Sequence, residues 1–82
     1  MTKEQQEEFA RLEMAVDEFA IAMKERLKAK LTENGWRGWD DPQYAGDIYM
    51  RLQKNVSELG GGRTQSCIDA ANLTMMLWRG MR

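Results

Sequence analysis

With 82 residues the chain has room for one small domain, and its 43% hydrophobic content fits a folded globular chain better than a disordered one. Twelve basic side chains against thirteen acidic ones leave a net charge of −1, which argues against the broadly basic surface of a DNA-binding protein. One cysteine, Cys67, and no histidine exclude an internal disulfide and argue against zinc chemistry or a histidine general base. No run of about 18 apolar residues marks a membrane-spanning helix. The polar, acidic start Met1–Glu8 is unlike a secretory signal, so a soluble cytoplasmic protein is expected.

In chain order, Thr2 and Gln5 form a capping-box pattern that opens a helix over about 2–34. Its apolar series Phe9, Leu12, Val16, Phe19, Met23, Leu27 and Leu31 steps by three and four without interruption. Asn34-Gly35 supplies the stop. A helix of about 30 residues is roughly 45 Å long, more than so short a chain covers by itself, so a homodimer or higher oligomer is expected. The tryptophan-rich connection 35–41 ends at Asp41-Pro42, a cap followed by proline at the first helical position. The helix that follows, about 42–59, shows an apolar face of Tyr44, Ile48, Leu52, Val56 and Leu59, and Gly60-Gly61-Gly62 ends it. Thr64 reads as the cap of a last helix, about 64–80, with the stripe Ile68, Ala71, Met75 and Trp78. No strand-like alternation or internal repeat is present. The expected fold is all-α, one long helix and two shorter ones in a bundle completed by dimerisation.

Charge is segregated along the first helix. Glu4, Glu7, Glu8, Glu13, Asp17 and Glu18 make its start acidic, and Lys24, Arg26, Lys28 and Lys30, with Arg37 just beyond, make its end basic. Such polarity suits antiparallel self-pairing, an anionic ligand at the basic end, or simply solvated faces with favourable helix-dipole placement.

Two segments carry the chemistry: Leu52-Gln53-Lys54-Asn55-Val56-Ser57-Glu58-Leu59 and Ser66-Cys67-Ile68-Asp69-Ala70-Ala71-Asn72-Leu73-Thr74-Met75-Met76-Leu77. Together they resemble the metal-binding helix pair of the MazG-like all-α nucleotide pyrophosphohydrolases, in particular the short phage-type dATP/dGTP diphosphohydrolase domains. The resemblance spans about residues 19–77. In that family one helix offers E-x-x-E and the next E-x-x-D, and the four carboxylates hold magnesium. The corresponding positions here are Asn55, Glu58, Ser66 and Asp69, so two carboxylates remain. Glu58 and Asp69 are therefore the candidate ligands of a weak magnesium site. Lys54 stands where the family tends to be acidic, and a lysine there would answer a phosphate in place of a metal.

Asn34-Gly35-Trp36-Arg37-Gly38-Trp39-Asp40-Asp41 is similar to the family's N-x-x-K-G-x-W segment. Arg37 would take the basic role and Trp39 the aromatic one, stacking a base or else clamping the helix ends. Asp69-Ala70-Ala71-Asn72 matches the family's last helix, which adds Asn72 to the candidate ligand-binding set of Arg37, Trp39, Lys54 and Asn55. The resemblance implies a catalytically impaired protein that binds a nucleotide or nucleotide-derived signal with little or no hydrolysis. Two alternatives stand beside it. One is a small phage or mobile-element inhibitor of a host defence protein, of the anti-CRISPR type, working in the host cytoplasm through protein contacts. The other is a magnesium-dependent dNTP diphosphohydrolase with a minimal site. Direct DNA binding and membrane association are not expected.

Overall fold

The backbone N–H of Gln5 donates to Thr2 Oγ1 at 3.1 Å, and that of Thr2 donates to Gln5 Oε1 at 2.9 Å. This reciprocal pair satisfies two amides that the first turn of a helix leaves without partners. From it runs α1, Lys3–Asn34, 32 residues without glycine or proline. The computed structural model describes residues 1–34 (the Asn34 side chain excepted) and 38–81. Among these residues the longest dimension is 46 Å, close to the roughly 48 Å expected for α1 alone.

Gly38 adopts a φ of +77° before a tight turn, and an added Cβ would sit 3.3 Å from the Tyr44 ring, so glycine suits both the backbone and the space. Asp41 Oδ1 accepts from the Gln43 amide at 3.1 Å, and Pro42 opens a 3-10 turn, Pro42–Tyr44, that continues into α2, Ala45–Glu58. A second 3-10 turn, Leu59–Gly61, closes α2, and Gly62 takes φ +75°, a conformation that costs other residues about 1–2 kcal/mol. The last helix, α3, is Thr64–Gly80. Its N-cap is Arg63, whose side chain makes no capping bond, and Thr64 is already helical. The reversal at Gly62 moves the start of α3 one residue before the position that the threonine marked.

The described residues thus form three helices and no strand, an all-α fold. None of these helices is long and apolar enough to cross a membrane. The Asn72 side chain reaches the Met23 carbonyl and Arg26 reaches Asp69, so α1 and α3 run antiparallel, while the short turn makes α2 and α3 an antiparallel hairpin. The centre of the packing is Ile48, Leu73 and Met76, with Leu27, Trp39, Leu52, Met75 and Leu77 against it.

This arrangement corrects two expected faces. On α3 the buried residues are Ser66, Ala70, Asn72, Leu73 and Met76, whereas Trp78 is mostly exposed. A helix with neighbours on two sides buries a broad arc that includes small and polar residues, which a stripe of large apolar side chains does not capture. On α2 the inward side is Ile48, Leu52, Asn55 and Glu58, while Tyr44, Val56 and Leu59 are exposed. The true face follows the spacing i, i+4, i+7, i+10, and polar residues complete it.

Candidate functional site

Each helix turns residues spaced by one, three and four positions toward a common cavity. Helix α1 contributes Arg26, Leu27 and Lys30; α2 contributes Arg51, Lys54, Asn55 and Glu58; and α3 contributes Asp69, Asn72 and Leu73. Such spacings put side chains on one face of a helix. The cavity measures about 280 Å³, near the lower end of the range for small-molecule sites. Its walls carry four cationic side chains and two carboxylates, a positive excess of two.

The two carboxylates are engaged within the chain. Asp69 Oδ1 accepts from Arg26 Nε at 3.0 Å, with both side chains about a quarter exposed. The Gln65 carboxamide abuts the same guanidinium and accepts from Arg26 Nη1 at 2.9 Å when its oxygen is turned inward. Glu58 Oε2 accepts from the buried Ser66 hydroxyl at 3.1 Å. Asn55 Nδ2 donates to the Arg51 carbonyl at 2.9 Å. Lys30 and Lys54 make no ion pair among the described residues.

Asn72 occupies the inner wall. It is 4% exposed, and its Nδ2 donates to the Met23 carbonyl at 3.2 Å. Its Oδ1 is fully buried and has no hydrogen-bond partner among the described residues. An acceptor in that condition costs about 1–3 kcal/mol. The Asn72→Leu variant should therefore unfold at an equal or higher temperature in a calorimetric scan. It removes the orphaned oxygen, keeps the branching at Cγ, and the Met23 carbonyl retains its helical partner. A loss above about 2 kcal/mol would show that the asparagine contributes stability after all.

Of the residues singled out in the sequence, Lys54, Asn55, Glu58, Asp69 and Asn72 converge on this cavity. Trp39 does not line it. The indole packs on the Ile48–Leu73–Met76 cluster and borders a smaller depression of about 100 Å³. Arg37 lies outside the described residues. Arg26 and Lys30 were signalled only as part of a basic helix end, and Arg51 not at all. Flanking Met23 and Leu27 on the helical wheel picks out Arg26 and Lys30 as the inward cations, while Lys24 and Lys28 stay exposed.

No family model, no curated protein and no solved structure matches the chain.

Magnesium is commonly held by one or two carboxylates together with a substrate's phosphates. Glu58 and Asp69 are the carboxylates of this cavity, and no cluster of three or more acidic or thiol side chains that could hold a metal is present among the described residues. Asp69 already neutralises Arg26, Glu58 receives the Ser66 hydroxyl, and the remaining wall charges are positive. What the arrangement suits chemically is an anion, with guanidinium and ammonium groups for phosphate oxygens.

Proposed function

We propose that this chain is a catalytically impaired MazG-like protein that binds a nucleotide or nucleotide-derived signal with little or no hydrolysis. The observation that carries the reading is the charge of the cavity, with Arg26, Lys30, Arg51 and Lys54 around two carboxylates that are already engaged. Phosphates enter at the cationic rim, where Lys30 and Lys54 meet solvent, and the sugar or base lies against Leu27, Leu73 and Asn72. Magnesium accompanies the ligand's phosphates instead of residing on the protein.

The reading is tested by titrating the full chain calorimetrically with nucleoside mono-, di- and triphosphates, with and without magnesium, while assaying released phosphate and pyrophosphate. Saturable binding without product is expected. Magnesium-dependent pyrophosphate release would restore the diphosphohydrolase reading, and a flat titration across the panel would sink nucleotide binding.

Asp69 separates the two chemistries by the sign of its effect. As a metal ligand it would be needed for binding; as the counter-ion of Arg26 it restrains a cation. Asp69→Asn should therefore tighten triphosphate binding, by about threefold to tenfold, because it frees a guanidinium and raises the positive excess by one. The same variant loses about 1–2 kcal/mol of stability with the half-buried ion pair. Weaker binding in titrations of a folded Asp69→Asn protein would contradict the anion-site reading.

A second reading, inhibition of a host defence protein through protein contacts, draws on the exposed acidic first half of α1, where Glu4, Glu7, Glu8, Glu13, Asp17 and Glu18 all face solvent. Reversing these charges would abolish partner binding if that face mimics a nucleic acid.

A further inference from the structure

Two of the three helices make the core. Its buried residues are Ile48 of α2 and Ser66, Ala70, Asn72, Leu73 and Met76 of α3; among the described residues of α1 none is buried. Helix α1 rests on α3 through the half-buried Met23, Arg26, Leu27 and Lys30, held by the Asn72–Met23 hydrogen bond, the Arg26–Asp69 pair and the packing of Leu27. Helices α1 and α2 meet chiefly across the cavity, where Arg26 and Lys30 stand on one wall and Arg51 and Lys54 on the other. Like charges repel across such a gap, and a cleft screens them less than open water does. The two carboxylates answer only half of that charge, since Asp69 serves Arg26 and Glu58 receives the Ser66 hydroxyl.

We propose that an anion in the cavity closes this gap by bridging the cations of α1 to those of α2, so that ligand occupancy sets how firmly the long helix is docked on the α2–α3 hairpin. This coupling rests on the reading of the cavity as a nucleotide site. A helix in a protein owes most of its stability to packing. Without a ligand, α1 therefore leaves α3 in a local opening of lower free energy than global unfolding, while Ile48, Leu73 and Met76 stay together. A triphosphate that touches both walls is lost in that opening, so its binding opposes it. Mass action sets the scale: ligand at about 100 times its dissociation constant favours the docked state by about a hundredfold.

The consequence reaches the far end of the molecule. Helix α1 has no glycine or proline, the usual sites of a kink, so its first half follows the second as one rod. The exposed acidic residues Glu4, Glu7, Glu8, Glu13, Asp17 and Glu18 ride on that rod, and the cavity controls its seating.

Hydrogen exchange of the backbone amides, followed by NMR on the full chain, tests the coupling. Without ligand, the amides of residues 22–33 should exchange about tenfold or more faster than those of Leu73 and Met76. Saturating ATP should slow residues 22–33 by about tenfold to a hundredfold, by the same factor as the core. Lys54→Glu sets a carboxylate on the α2 wall, beside Arg26 and Lys30. With no ligand present it should slow exchange in residues 22–33 of α1 by about threefold to tenfold. Lys24→Glu, the same charge change on the exposed side of α1, should leave those rates within about twofold. Equal exchange across the three helices of the ligand-free chain would overturn the coupling. So would ATP binding that slows α2 and α3 but not residues 22–33, or equal effects of Lys54→Glu and Lys24→Glu; the nucleotide reading would survive all three. A chain that binds no ATP would end that reading and the coupling together.

Discussion

Met76→Ala is expected to lower the unfolding free energy by about 3 kcal/mol and the melting temperature by roughly 15–20 °C. Met76 is the most buried side chain of the core, 2% exposed, and joins Ile48 and Leu73 where α2 and α3 meet. Truncation to alanine removes the burial of the side chain beyond Cβ and leaves a void that helices of fixed spacing close only in part. A domain of this size has a total stability of about 4–12 kcal/mol, so one methionine decides whether a large fraction of molecules is folded near physiological temperature. Met50, 67% exposed on the outer side of α2, is the control; Met50→Ala should stay within about 0.5 kcal/mol. Denaturant titrations of both variants decide the matter. Equal effects at the two positions would mean that the packing of α2 on α3 is not as described.

Reversal of the two solvent-reaching cations, Lys30→Glu/Lys54→Glu, is expected to weaken triphosphate binding by at least about 100-fold. Each lysine that meets a phosphate oxygen at the cavity rim contributes about 1 kcal/mol in partly screened surroundings, and a carboxylate in its place adds repulsion of similar size. Two such changes sum to about 3 kcal/mol or more, which is two orders of magnitude in affinity. The fold should be indifferent, since neither ammonium has an ion-pair partner among the described residues to lose. Wild-type affinity should also fall as salt rises from 50 to 300 mM, and the double variant should show little of that dependence. Unchanged binding in the reversed variant would place the ligand elsewhere.

The sequence made the helices legible because their ends are written in local chemistry: the Thr2–Gln5 pair, Asp41-Pro42 and the glycine run each act within four residues. Faces were harder to read. The spacing Ile68, Ala71, Met75, Trp78 pointed Trp78 inward, yet it is mostly exposed and the core takes Ser66, Ala70 and Asn72, because α3 has neighbours on two sides. For the candidate site, the resemblance of residues 52–77 to a metal-binding helix pair located Asn55, Glu58 and Asp69 on one wall. It said nothing of α1, whose Arg26 and Lys30 approach these residues only once α1 folds against α3. Arg26 in turn changes the meaning of Asp69: a carboxylate that looks like a metal ligand in the sequence is the counter-ion of a guanidinium in the fold.

The most direct test of an anion site between the three helices is a two-dimensional ¹⁵N–¹H NMR titration of the full chain with a purine nucleoside triphosphate. Binding at the cavity should move the backbone amides of Arg26, Lys30, Lys54 and Asn55, and with them the side-chain amide of Asn72 on the inner wall. The amides around Trp39 and along the first half of α1 should stay in place. Shifts confined to those outer regions, or no shifts at millimolar ligand, would contradict the site.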